Sequence, residues 1–217
     1  MKLSYLNKIN AKLNDAYQNK IIYPFTKASN SKRFIFIHIP KAAGTSIRYA
    51  LGEPEAGRKH LPWWVYKTAN PNKYNKYYKF SFIRNPVDRL VSGYTYLRNG
   101  GNKQADDMLV ANYLRKYKNF ESFVEQEILS GFMTNHHIFR PQSWYLCDWS
   151  GDIKVDFLGS YENIDEDFKF VADKLGIKSV LPHVNKSIAK LESSFSEDTI
   201  GIIEKVYYQD YILIDRL

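Results

Sequence analysis

Two segments limit what this chain can fold into: Phe34-Ile-Phe-Ile-His-Ile-Pro-Lys-Ala-Ala-Gly-Thr-Ser46 and Phe80-Ser-Phe-Ile-Arg-Asn-Pro-Val-Asp-Arg-Leu-Val-Ser92. In each, a short aromatic and β-branched run stops at a cluster of residue types that bind phosphate, and a helical pattern follows. Runs of that composition suit strands buried on both faces, as in parallel sheets. Two such strand–turn–helix units in one small domain imply a doubly phosphorylated ligand.

In the first unit, Pro40 cannot donate to a sheet ladder, so the strand ends there. Lys41 then supplies a point charge on a flexible stem. Gly44 allows a close approach that a Cβ would block, and Thr45 and Ser46 offer hydroxyls and N-cap chemistry. Ile47, Ala50 and Leu51 continue at helical spacing, and the N–H groups of a helix start attract anions. The nucleotide-triphosphatase loop places its Lys after a second Gly. Here Lys41 precedes Gly44 and no earlier Gly is present, which argues against ATP. Taken alone, Lys41 also fits an ordinary surface lysine in a strand-to-helix turn.

In the second unit, Asn85 is placed to cap, Pro86 suits the first helical position and Asp88 falls in the first turn. Val87, Leu90, Val91, Tyr94 and Leu97 form the core arc of the helix, with Asp88, Ser92 and Thr95 opposite. Arg84 sits at the carboxyl end of its strand, where open α/β sheets place ligands. It can grip a phosphate through two parallel charge-assisted bonds, with Ser92 as a further donor; the plainer reading is a structural Arg84–Asp88 pair.

Together these segments resemble the membrane-type carbohydrate sulfotransferases, the group that includes heparan 2-O- and chondroitin-type enzymes and bacterial relatives. His38 to Ser46 is similar to that family's 5′-phosphosulfate loop, and Phe82 to Tyr94 to its 3′-phosphate motif. Asp156 to Phe168 follows as a third similarity and Leu181 to Ser187 as a looser fourth, so the resemblance spans roughly residues 33 to 211. It implies a P-loop-kinase-like sulfotransferase fold and the donor 3′-phosphoadenosine-5′-phosphosulfate. It also implies a carbohydrate or polysaccharide acceptor. Backbone N–H groups of Ala42, Ala43, Gly44, Thr45 and Ser46 would then cradle the 5′-phosphate, with Lys41 charging the leaving group. Arg84 and Ser92 would hold the 3′-phosphate, and Lys186, with Ser187, would reach the nucleotide.

The 217 residues suffice for one core and not for two ordinary domains. We expect an extension over residues 1–32, with Leu3, Leu6, Ile9, Leu13 and Tyr17 near helical spacing among basic residues. A sulfotransferase domain is expected over 33–217. No apolar run in the first twenty residues is long enough for a signal peptide or membrane span, so a bacterial cytoplasmic enzyme is the simpler reading. That segment could also touch a membrane surface. The net charge of +8 suits an anionic cofactor or polysaccharide, and equally nucleic acid. The lone Cys147 rules out an internal disulfide.

Beyond the two units, Pro62-Trp63-Trp64 opens a short helix, its tryptophans suited to packing a loop or stacking on sugar rings. Helices are predicted around Val110–Tyr117 and Phe120–Ile128, the latter stopped by Gly131, and a strand over Ile153–Ser160. A helix from Ile164 to Leu175, ended by Gly176, and a last one over Glu197–Gln209 complete the pattern. Alternating strands and helices imply one α/β domain with a central parallel sheet flanked by helices.

Sulfuryl transfer to an alcohol needs a base for the hydroxyl proton, donors for the sulfuryl oxygens and positive charge for the leaving phosphate. Lys41 is the candidate for the last two. His60 is the candidate base, since imidazole titrates near neutrality and a His lies between the two cofactor motifs in related enzymes. His136 and His137 are rivals, because Asn135 to Gln142 resembles an acceptor-side segment of the family. Glu53 and Glu55 are weaker candidates. His38, inside its strand, is read as orienting the loop, and His183 has no assigned role. No histidine spacing suits zinc, and no metal is expected. The competing classes are a basic nucleic-acid-binding protein, for which no RNA-binding motif is present, and a kinase-like phosphotransferase, which the missing Walker lysine disfavours.

Overall fold

A computed structural model describes residues 23–53, 59–178, 180–182 and 195–217. The basic segment 1–20, Glu55, His183, Lys186 and Ser187 lie outside the described residues. Both apolar runs are strands of one parallel sheet: β1 (Phe34–Ile37) pairs with β2 (Tyr78–Ile83), and β2 with β3 (Phe157–Ser160). The register sets Ile37 beside Ser81 and Ile83 beside Ser160, so all three strands end along one edge. Ser81 Oγ donates to the Ile37 carbonyl at 2.7 Å, tying that edge together.

Side chains alternate across a strand, and this sheet is covered on both faces. Phe34, Phe36, Phe80 and Phe82 meet α2 (Gly44–Ala50) and α9 (Ile164–Leu175) through Ile47, Ala50, Phe168 and Val171. Ile35, Ile37 and Ile83 face the other way, against Tyr66 of α3 (Trp63–Ala69) and Tyr74 of α4 (Pro71–Lys76). Tyr145 and Leu146 of α8 (Ser143–Leu146) close that side. Ahead of the sheet, α1 (Lys27–Lys32) is capped by Thr26, and Phe25 is buried in the same layer.

The second unit forms α5 (Pro86–Arg98). Asn85 accepts from the Val87 and Asp88 N–H groups, a cap worth about 1 kcal/mol. Val87, Leu90, Tyr94 and Leu97 are buried in a third cluster. That cluster also holds α6 (Ala105–Leu114), α7 (Phe120–Phe123) with its π-helical continuation Val124–Ile128, and α10 (Glu197–Val206).

Several boundaries differ from the sequence expectation. The strand expected from Ile153 begins only at Phe157; Ile153 instead makes an isolated antiparallel bridge to Cys147. The helix expected over Val110–Tyr117 starts earlier and ends at Leu114. The last helix breaks at Tyr207 and resumes as α11 (Tyr208–Ile214). There Tyr207 is buried with its hydroxyl on the Phe139 carbonyl, 2.6 Å away, a tertiary contact that overrides helical propensity. Thr45 and Ser46 are not caps. The cap position is Ala43, in the left-handed region and without a side-chain cap bond, so both hydroxyls lie inside the first turn. Among the described residues, no helix is long and apolar enough to cross a membrane.

Candidate active site

Three loops leave the carboxyl edge of the sheet. The first, after β1, takes Lys41 (φ 68°) and Ala43 (φ 56°) through the left-handed region before α2 begins. Such conformations cost a non-glycine residue of order 1 kcal/mol each and turn successive N–H groups into a concavity that suits anions. The Lys41 ammonium lies 4.2 Å from the centre of the Tyr96 ring on α5. Gly44 has a specific reason: a Cβ there would stand 1.8 Å from the His38 ring. The close approach is made by His38.

The second loop is built differently. Arg84 is buried, with its guanidinium 4.3 Å from the Tyr161 ring centre and Nη1 donating to the Lys41 carbonyl at 3.4 Å. Burial lowers its pKa, and Tyr161, Asp88 and Glu162 oppose that shift. Its backbone is gripped by the fully buried Gln142, whose Oε1 accepts from Arg84 N–H and whose Nε2 donates to the Arg84 carbonyl. Gln142 N–H in turn donates to buried Asp210 at 2.8 Å. The third loop braces the second: Glu162 accepts from the Asn85 N–H and from Ser160 Oγ. Ser92 lies half-buried on α5 beyond Arg84.

The candidate bases converge although they are far apart in sequence. The His60 and His38 rings are 4.4 Å apart, those of His60 and His137 5.4 Å and stacked, and those of His137 and His136 4.4 Å. His60 Nδ1 is 3.1 Å from the His38 carbonyl. A carbonyl can only accept, so Nδ1 carries the proton and Nε2 is the acceptor nitrogen of the neutral ring. His38 is buried and its own Nδ1 accepts from Arg48 Nε at 3.3 Å. Arg48 pairs with Glu53 at 3.3 Å, and Glu53 also accepts from Thr26. Burial raises the Glu53 pKa. Tied up in that network, Glu53 braces His38. At the far end of the row, burial and the neighbouring His137 push the His136 pKa down to about 4, and burial lowers that of His137.

Sequence reasoning therefore named Lys41, Arg84, His60, His136 and His137, and the fold brings them to one edge. It missed Gln142 as the clamp on Arg84 and Tyr161 as its stacking partner. Both fall inside segments whose family resemblance was noted, which was the available signal. Among the described residues no group of three or more His, Cys, Asp or Glu is arranged to hold a metal ion.

The chain belongs to the sulfotransferase family: the model of that family matches residues 24–214. Carbohydrate sulfotransferase 14 of Danio rerio is 22% identical across 73% of this chain, which spans about half (50%) of that relative's length. An uncharacterized protein of Archaeoglobus fulgidus is 28% identical over 56% of this chain and 87% of its own. No solved structure gives a significant match.

Proposed function

We propose that this protein transfers a sulfuryl group from 3′-phosphoadenosine-5′-phosphosulfate to a hydroxyl of a carbohydrate acceptor. One observation carries the reading: loops ending adjacent parallel strands are joined by the Arg84–Lys41 hydrogen bond, and His60 is anchored to the same first loop through the His38 carbonyl. The donor set fits a bisphosphate, being one ammonium, one guanidinium and a concave run of backbone N–H groups.

When bound, that donor supplies an electrophilic sulfuryl group on a phosphate leaving group. Lys41 and the N–H groups of Ala42 to Ser46 hold the 5′ end and offset the charge that develops there. Arg84 and Ser92 hold the 3′-phosphate, fixing the nucleotide without taking part in bond making. Lys186 is assigned to the nucleotide on family resemblance alone. His60 Nε2 takes the proton of the attacking hydroxyl. It is preferred over His136, whose depressed pKa of about 4 makes it a weak proton acceptor at neutral pH.

The test is a thermal-shift comparison of adenosine 3′,5′-bisphosphate, ATP with magnesium and single-stranded DNA, followed by transfer of labelled sulfate to saccharides of the native host. Stabilisation by the bisphosphate alone is expected. A larger shift with ATP and magnesium, or with DNA, would replace the proposal by the kinase-like or the nucleic-acid reading.

A further inference from the structure

Behind the loop after β1 lies a charged network with no part in the proposed chemistry so far. Gly52 (φ 79°) ends α2 in the left-handed region and turns the chain back, so that the Glu53 N–H donates to the Arg48 carbonyl at 2.8 Å. Arg48 and Glu53 are both buried, and their side chains pair at 3.3 Å. Thr26, the cap of α1, donates its hydroxyl to the other carboxylate oxygen. The desolvation cost of such a pair is about as large as its attraction, so net stability gives little reason for it.

Its third connection gives one. Arg48 Nε donates to His38 Nδ1 at 3.3 Å. A guanidinium has no acceptor, so Nδ1 keeps its lone pair and neutral His38 carries its proton on Nε2. A second proton, on Nδ1, would meet the Arg48 N–H head-on. The rest of the ring is packed as well: it stacks on Phe36 at 5.6 Å, and its Cδ2–Nε2 edge lies against Gly44.

His60 depends on this ring. The two imidazoles are 4.4 Å apart, and His60 Nδ1 meets the His38 carbonyl at 3.1 Å. That partner is a neutral carbonyl rather than a carboxylate, so it orients the base without offsetting the charge gained with the proton. A cationic His38 at that distance would oppose the gain. Also facing the two rings are His137, stacked on His60, and Arg48. Lys59, the residue before His60, lines one small cavity with Arg48, Glu53 and Tyr66, and burial pushes the Tyr66 phenol up to about 12, which keeps it neutral.

Resting on the sulfotransferase reading with His60 as base, we propose that Arg48 and Glu53 are positioning residues for that base. Arg48 fixes His38 as the uncharged Nε2–H tautomer and thereby holds the peptide whose carbonyl keeps His60 as the Nδ1–H tautomer. Glu53 offsets the guanidinium charge beside the base. Neither residue touches the reacting atoms.

Long-range nitrogen–proton NMR spectra of the full chain with isotope-labelled histidine read tautomer and protonation ring by ring, and need no acceptor. Substituting each histidine in turn by Gln assigns the signals. Wild type at pH 7 should show His38 as Nε2–H and His60 as Nδ1–H. Arg48→Met should turn both into tautomer mixtures, and Arg48→Lys should restore the pattern in part, because an ammonium still donates. Glu53→Gln keeps the size and removes the charge, so the His60 titration midpoint should fall by about half a pH unit or more with both tautomers kept. Thermal shifts with adenosine 3′,5′-bisphosphate on the same samples should show binding in every variant. A wild-type His38 with its proton on Nδ1, or cationic at pH 7, overturns the proposal whether or not any variant folds. So do variants in which His60 keeps its tautomer and midpoint, since the network would then be a brace alone. A wild type with the expected tautomers that does not bind the bisphosphate removes the sulfotransferase reading instead, and the positioning role with it.

Discussion

The loops after β1 and β2 share a topology and differ in construction. Around Lys41 the backbone is strained at two non-glycine residues, the following helix has no side-chain cap, and the ammonium rests on an aromatic ring. Around Arg84 the backbone is bonded on both sides by Gln142, Asn85 caps the helix, and Tyr161 and Glu162 close the third side. Strain and half-exposed charge suit a site where charge must be met as it develops; a buried guanidinium on a clamped backbone suits a fixed anchor. Under the proposed function, that difference assigns chemistry to the first loop and positioning to the second.

Four results would break or sharpen that division. The largest concerns the base: His60→Ala should lower the catalytic rate about 10²–10⁴-fold while leaving bisphosphate affinity unchanged. His136→Ala and His137→Ala run in parallel; if one of them removes the acid limb of the pH–rate profile and His60→Ala keeps it, the base is in the Asn135–Gln142 segment. Next, Lys41→Ala should reduce turnover by about a hundredfold or more with an unaltered melting temperature. Near-normal turnover would take Lys41 out of the mechanism and leave its strained loop without a chemical reason.

Gln142→Ala tests the clamped side. It orphans the buried N–H and C=O of Arg84, at about 1–3 kcal/mol for each group. Chemical denaturation should show that loss of stability, and bisphosphate affinity should fall with it. An unchanged denaturation midpoint would mean that the clamp adds nothing.

The smallest effect is a pH dependence. His136 is held neutral, its folded-state pKa being about 4 against 6.5 for the ordinary group. The unfolded state therefore binds more protons between these values, and stability is lost as pH falls through that window. His136→Asn should flatten the fall when urea midpoints are compared from pH 7 to pH 4. An identical slope in the variant would place the titration elsewhere.

Much of the two units could be read from the sequence, because strand burial, the Asn85 cap and the α5 core arc are all encoded within a few residues; β1, however, ends at Ile37, short of His38 and of the Pro40 expected to stop it. The histidine row could not. His38, His60 and His136–His137 come from three separate segments, and only the folded sheet edge brings their rings together. The same limit hid Gln142, whose partners are an arginine 58 residues earlier and an aspartate 68 residues later. Trp63 and Trp64 also carry no local mark that tells the half-buried ring from the exposed one. That depends on Cys147, whose carbonyl accepts from the Trp63 indole, and on Trp144, whose ring meets that of Trp64.

The central claim is that two loops hold one nucleotide by phosphates at two ends. Isothermal titration of wild type and Arg84→Ala with adenosine 3′,5′-bisphosphate and with AMP tests it most directly. Wild type should prefer the bisphosphate, and the variant should lose about 2–5 kcal/mol of bisphosphate binding and with it that preference. A wild-type protein that binds both nucleotides equally would contradict the account, because it would have no 3′-phosphate site for Arg84 to serve.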